Sequence, residues 1–162
     1  KWDKWIRGEV LFTDQEVRGW DLFNVDRTDF SAGADCFHCH GAPHFTDFTF
    51  HNNGLDGDEN FSDMGLYEIT GSNVDKAKFK TPTLRNIEVT GPYMHDGRFS
   101  TLEEVIEHYN SGGHASSTVD PLMKNIGDGL LLSLEDKQAL LAFLRTLTDE
   151  EFLNNPEFSN PF

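Results

Sequence analysis

The chain has 162 residues, a length that fits one domain, with 37% hydrophobic residues and a formal net charge of −15. That charge argues against nucleic acid and anionic membrane as partners and suits a basic redox partner. No run approaches the length needed to span a bilayer, so no membrane span is expected.

In chain order, residues 1–24 read as a Trp-rich helical segment, with Thr13 and Glu16 forming a capping box ahead of Val17, Trp20 and Phe23. Trp2, Trp5 and Trp20 are read as packing residues rather than redox relays. A polar loop over 25–35 leads into Cys36-Phe37-His38-Cys39-His40. This run has the form C-x-x-C-H, the attachment signature of a c-type haem. Two thiols on one turn can bond to the two vinyl groups, and His40 then ligates the iron from one face. Cys36 and Cys39 are the only cysteines of the chain. A redox disulfide calls for a βαβ pattern around the motif, and none is visible. Zinc calls for a second pair of ligands, and His44, His51, His95, His108 and His114 are not spaced as one. Covalent haem is normally attached outside the cytoplasm. Lys1-Trp2-Asp3-Lys4 opens in polar sequence with no leader, so a mature exported chain, periplasmic by inference, is expected.

Residues 41–65 are rich in Gly, Asn and Asp. The stretch Asp56-Gly57-Asp58-Glu59-Asn60 hints at calcium but lacks the EF-hand spacing and its terminal Glu, so it is expected to be a solvated loop. Residues 78–100 read as irregular structure punctuated by Pro82, Gly91, Pro92 and Gly97, an aromatic and Met-bearing wall of the kind a haem needs. Thr101 and Glu104 form a second capping box, opening a helix that runs to about Tyr109 and ends at Asn110-Ser111-Gly112-Gly113. Ser133 and Asp136 open the clearest helix, whose stripe Leu140, Phe143, Leu144 and Leu147 is read as core. The tail 149–162, with Pro156 and Pro161, is expected at the surface. Strands are sparse and no repeat is visible. The expected class is all-α: a single cytochrome c-like haem domain over 1–162 with long irregular loops.

The far side of the iron can be open, for ligand binding or catalysis, or filled, for electron transfer. Candidate ligands are Met64, Met94, Met123, Tyr109 and several histidines. A thioether favours ferrous iron and raises the potential. A tyrosinate is hard and anionic and favours ferric iron. Spacing alone leaves Met94, Tyr109 and Met123 open.

The stretch Lys78-Phe79-Lys80-Thr81-Pro82-Thr83-Leu84-Arg85-Asn86 is followed by Gly91-Pro92-Tyr93-Met94-His95-Asp96-Gly97 and then Thr101-Leu102-Glu103-Glu104-Val105. Together these resemble the C-terminal haem domain of the bacterial dihaem cytochrome c peroxidases and their MauG relatives. Trp5-Ile6-Arg7-Gly8 and Leu141-Ala142-Phe143-Leu144-Arg145-Thr146-Leu147-Thr148 fit the same pattern, so the resemblance covers nearly the whole chain. It implies a second iron ligand fourteen positions after the motif histidine, Met in the peroxidases and Tyr in MauG. From His95 that position is Tyr109. It further implies a calcium held partly by carbonyls, with Thr90 and Pro92 at the matching positions. His95 is expected near the haem, and Arg85 beside a propionate or in an ordinary ion pair.

Family members carry two haem domains, whereas this chain has one C-x-x-C-H. The resemblance therefore implies the six-coordinate, electron-relaying half of a peroxidase-like oxidoreductase. Its partners would be an N-terminal peroxidatic haem domain or another haem subunit, and a small redox protein such as a cytochrome c or cupredoxin. A stand-alone haem peroxidase or sensor with an open distal site is the alternative, with His95, His108 or Glu104 as acid–base residue. A non-haem module built on the acidic loop is the third reading.

Overall fold

A computed structural model describes residues 1–28 and 31–159. Part of the expected 25–35 loop and the end of the tail, including Pro161, lie outside the described residues.

The fold is helical with little strand. The helices are α1 (Trp2–Ile6), α2 (Asp14–Phe23), α3 (Tyr67–Thr70), α4 (Leu102–Ser111), α5 (Leu134–Arg145) and α6 (Glu150–Leu153). Strands β1 (Phe50–His51) and β2 (Phe79–Lys80) pair antiparallel, with Phe50 opposite Lys80 and His51 opposite Phe79. Long loops connect the helices, as expected from the Gly-, Asn- and Pro-rich sequence between them.

The expected helical segment 1–24 divides in two. Gly8 takes a left-handed φ of +72°, and Thr13 then starts a new helix. The Thr13 hydroxyl accepts the Glu16 N–H (3.3 Å) while the Glu16 carboxylate accepts the Thr13 N–H (2.7 Å). That reciprocal bonding satisfies two otherwise unpaired donors and fixes the helix start. Thr101 and Glu104 repeat the arrangement at α4, whose C-terminal cap is Gly112 at φ +91°. The helix ends two residues later than expected because Asn110 and Ser111 still take helical backbone and only Gly112 turns left-handed. Ser133 caps α5 by accepting the Asp136 N–H at 3.1 Å.

Helix α2 lies directly against α5, and Gly19 marks the crossing. A Cβ at Gly19 would lie 2.0 Å from the Ala139 carbonyl oxygen and 2.7 Å from the Phe143 Cβ, so no larger residue fits. Leu140, Phe143, Leu144 and Leu147 are all buried, as their spacing predicts; Leu147 lies past the end of α5. They meet Leu22 and Phe23 of α2 and the loop residue Phe45 in the main core. Burying each such side chain stabilises the fold by about 1.5–3 kcal/mol. Phe23, Phe45 and Phe143 form a tilted and edge-on cluster with centroids 5.0–6.2 Å apart. Trp2 and Trp20 extend it, with Trp2 edge-on to Phe45 at 4.9 Å. The tryptophans thus pack, as read from the sequence.

The N-terminal helix is tied to the other end of the chain. The Trp2 N–H donates to the Thr146 carbonyl (2.9 Å), and the Asn86 N–H to the Leu147 carbonyl (3.1 Å). The tail adds α6 and a 3-10 turn, Pro156–Phe158, and is largely exposed.

Candidate functional site: the C-x-x-C-H turn and its surroundings

Cys36–His38 form a 3-10 turn, and the His40 N–H closes the next step onto the Cys36 carbonyl at 2.9 Å. Asp35 enters the turn with a left-handed φ of 52°, and its carboxylate bonds the His38 ring. Lys124 draws Asp26 (2.9 Å) and Asp35 (2.8 Å) together beside it. The loop carrying the two cysteines is thereby anchored to a distant part of the chain.

Both cysteines are free thiols. Burial pushes the Cys36 thiol up to about 12 and Cys39 up to about 11, with nearby Asp carboxylates adding to both shifts. Cys39, Asp47 and His51 do converge. Yet both His51 ring nitrogens are already engaged, Nδ1 with Asp120 (2.6 Å) and Nε2 with Asp47 (2.7 Å). In the second convergence, Asp26, Asp35 and His38, the Lys124 ammonium sits where a cation would.

His40 is arranged differently. Its Nδ1 lies 3.0 Å from the Phe45 carbonyl. A carbonyl only accepts, so Nδ1 carries the proton, and Nε2 is the nitrogen a metal would take. Burial lowers the His40 pKa, keeping the ring neutral as a ligand must be. Phe45 is fully buried and holds a left-handed φ of 53°, which sequence gave no sign of. Its carbonyl also accepts the Leu84 N–H at 3.2 Å, so both lone pairs are used.

Tyr109, on α4, packs against the same core as Cys36 and Phe37. Burial pushes its phenol up to about 12; the charges of Cys36 and Cys39 add to the rise, and a hydrogen bond from Asn53 opposes it. The Asn53 amide donates to Tyr109 Oη at 3.2 Å and to Met94 Sδ at 3.5 Å. Two of the three candidate distal ligands are therefore neighbours, and Asn53, which sequence reading passed over as one more turn residue, lies between them. Met94 itself has a left-handed φ of 71°. Met123 closes a separate turn, its N–H on the Asp120 carbonyl at 2.9 Å. His108, adjacent to Tyr109, is buried, with Nε2 3.1 Å from the Asn53 carbonyl.

His95 is exposed and stacks on Phe79 at 3.7 Å, beside a cavity of ≈ 10 Å³ shared with Asn53, about the size of one water. Arg85 meets both Asp3 carboxylate oxygens (2.8 and 3.0 Å) and donates twice to the Pro43 carbonyl. Its guanidinium also sits 5.4 Å from the Trp2 ring. Thr90 and Pro92 are exposed. In the acidic loop Asp56 is clamped by Arg98, and Asp58 accepts the Ser117 N–H and hydroxyl, so these carboxylates serve as loop ties. Glu104 is spent on its capping box.

The donor set fits a covalently held haem. Two thiols are separated by two residues, an imidazole has its Nδ1 fixed, and a partly buried phenol and a thioether share a neighbour.

A helical fold with this turn defines the class to which the comparisons point. No family model matches the chain. The cytochrome-c peroxidase IdrP2 of Pseudomonas sp. (strain SCT) is 34% identical over 178 residues, covering 93% of this chain and 44% of that protein. The methylamine utilization protein MauG of Methylophilus methylotrophus is 35% identical over 148 residues, covering 90% of this chain and 40% of its own length. Among solved structures, a MauG-like protein associated with microbial copper homeostasis superposes with a TM-score of 0.84 at 39% identity, over 99% of this chain and 51% of that one. Over most of its length the chain is similar to cytochrome c peroxidases and MauG, consistent with a C-terminal piece of the dihaem family. It spans less than half the length of the curated relatives it matches.

Proposed function

We propose that the chain is the electron-relaying half of a dihaem peroxidase- or MauG-like oxidoreductase. In this reading Cys36 and Cys39 hold one haem c through thioether bonds, His40 Nε2 ligates the iron, and Tyr109 is its second protein ligand. The haem supplies one-electron exchange between ferric and ferrous iron. The protein's part is to fix the imidazole, exclude water and orient the phenol. The Phe45 carbonyl holds His40 in one tautomer and one ring orientation. The aromatic core behind it, Phe23, Phe45 and Phe143, keeps that carbonyl from moving. Packing of Tyr109 against the core beside Cys36 limits the access of solvent to its oxygen.

The observation that carries the reading is His40, its Nδ1 held by the Phe45 carbonyl, at the end of a C-x-x-C-H turn. The peroxidase function named for longer relatives enters as a proposal. Electrons would pass between this haem and a second haem domain outside the chain. The net charge of −15 suits a basic cytochrome c or cupredoxin as the small redox partner. Calcium at the carbonyls of Thr90 and Pro92, and a periplasmic location, belong to the same proposal.

The test is a pyridine haemochrome assay followed by absorption and spin-resonance spectra of the ferric protein, wild type against Tyr109→Phe, Met94→Leu and Met123→Leu. One covalent haem per chain, a low-spin ferric signal, and its loss in Tyr109→Phe alone are expected. A methionine–iron charge-transfer band that survives Tyr109→Phe and disappears in a Met variant overturns the tyrosine assignment. Rapid stoichiometric cyanide binding by the ferric wild type overturns the six-coordinate reading, and absence of covalent haem overturns the whole of it.

A further inference from the structure

The loop that carries Asn53 is fastened at each of three consecutive residues. The Asn52 amide donates to Ser116 Oγ (3.1 Å) and Thr118 Oγ1 (3.0 Å), and the Asn52 carbonyl accepts the Asp120 N–H (2.9 Å). The Asn53 carbonyl accepts from His108 Nε2 on α4, and the Gly54 carbonyl accepts the His114 N–H at 2.7 Å. These bonds involve either the backbone or a neighbouring side chain, so the Asn53 amide itself is left for other work. It reaches Tyr109 Oη at 3.2 Å and Met94 Sδ at 3.5 Å. An amide NH₂ has two hydrogens and can serve both acceptors together.

We propose that Asn53 is a positioning residue that selects Tyr109 over Met94 as the second iron ligand and sets the potential of the site. The inference rests on the reading of Tyr109 as ligand given above. One N–H holds the phenol oxygen at a fixed place on α4. The other engages one of the two sulfur lone pairs of Met94 and holds the thioether on the Asn53 side. Oxygen acceptors that carry charge draw the stronger hydrogen bond, so a tyrosinate gains more from Asn53 than a neutral thioether does. The same bond withdraws electron density from the tyrosinate oxygen. Ferric iron depends on that density more than ferrous iron does, so Asn53 keeps the potential higher than a bare tyrosinate would give.

The experiment uses the haem-loaded chain and measures the ferric/ferrous midpoint potential and the iron–oxygen stretch by resonance Raman for wild type, Asn53→Leu, Asn53→Asp and Asn53→Gln. Leu approximates the shape without a donor, Asp replaces the donor with a negative acceptor, and Gln restores a donor on a longer stem. A tyrosinate-to-iron charge-transfer band in wild type is the control for the underlying reading. With the band present, Asn53→Leu is expected to shift the ferric/ferrous equilibrium about tenfold toward ferric, ~59 mV lower for a one-electron couple. The iron–oxygen stretch should rise, Asp should lower the potential further, and Gln should recover part of the loss. A switch of Asn53→Leu to a methionine charge-transfer band supports the selection role directly. If Leu fails to retain haem, the Asp and Gln pair carries the comparison. A tyrosinate band in every variant with unchanged potential and stretch overturns the inference and leaves the Tyr109 reading standing. Absence of the band in wild type overturns both.

Discussion

His40 gives its Nδ1 hydrogen to the carbonyl of Phe45, five residues further on, at 3.0 Å. The bond is rigid because Phe45 is buried between Trp2, Phe23 and Phe143 and its backbone is held at a left-handed φ. Core packing and imidazole orientation are thus one feature. Phe45→Ala should cost about 4 kcal/mol of stability, measured by urea unfolding. It should also broaden the ferric spin-resonance signal of the haem-loaded chain, since the ring is no longer fixed. A loss under about 1 kcal/mol with an unaltered signal would show that the carbonyl is placed by other means.

Gly19 is required by proximity, not by backbone conformation. Gly19→Ala places a methyl group against the Ala139 carbonyl of α5, and α2 must move away. Overpacking of this kind costs roughly 3 kcal/mol. Gly8→Ala is the contrast: no atom lies near its Cβ, so only its left-handed φ opposes the change, at roughly 1 kcal/mol. Thermal denaturation of the two variants side by side checks the order.

Burial opposes the charged form of His51, but its bonds to Asp120 and Asp47 prevail and raise its pKa above the ordinary value of 6.5. The folded state then binds this proton more tightly than the unfolded state. The resulting stability is complete below about pH 6.5 and is lost as pH rises through the raised folded value. His51→Gln should therefore destabilise more at pH 6 than at pH 9, read as the shift in urea midpoint. Equal shifts at both pH values would show that His51 is neutral in the folded chain.

Arg98 joins two loops, bonding both Asp56 carboxylate oxygens (2.9 and 2.7 Å) and Asp96 (2.7 Å). The group is partly exposed, so Arg98→Met should cost only about 1 kcal/mol. The loss should shrink in high salt, because screening already weakens the pairs. A salt-independent loss would assign the effect to packing of the arginine stem.

The sequence by itself determined the parts whose signals are local. The C-x-x-C-H turn, both capping boxes and the α5 stripe each involve residues within two turns of one another, and each stands where its spacing predicts. The family motif around His95 was likewise legible as a contiguous run. Gly8 was the local signal for the break between α1 and α2. Tertiary structure decided the rest. Phe45 has no sequence mark of a left-handed residue; its conformation follows from the packing of its ring among residues up to 98 positions away. Asn53 reads as a turn residue until α4 brings Tyr109, and the loop before it Met94, within reach, 56 and 41 positions later. Arg85 is similar: its partner Asp3 is 82 residues earlier in the chain. Contacts across such separations depend on how long loops lie over the helices. That arrangement is set by the sum of burial and hydrogen bonding, which no short stretch of sequence contains.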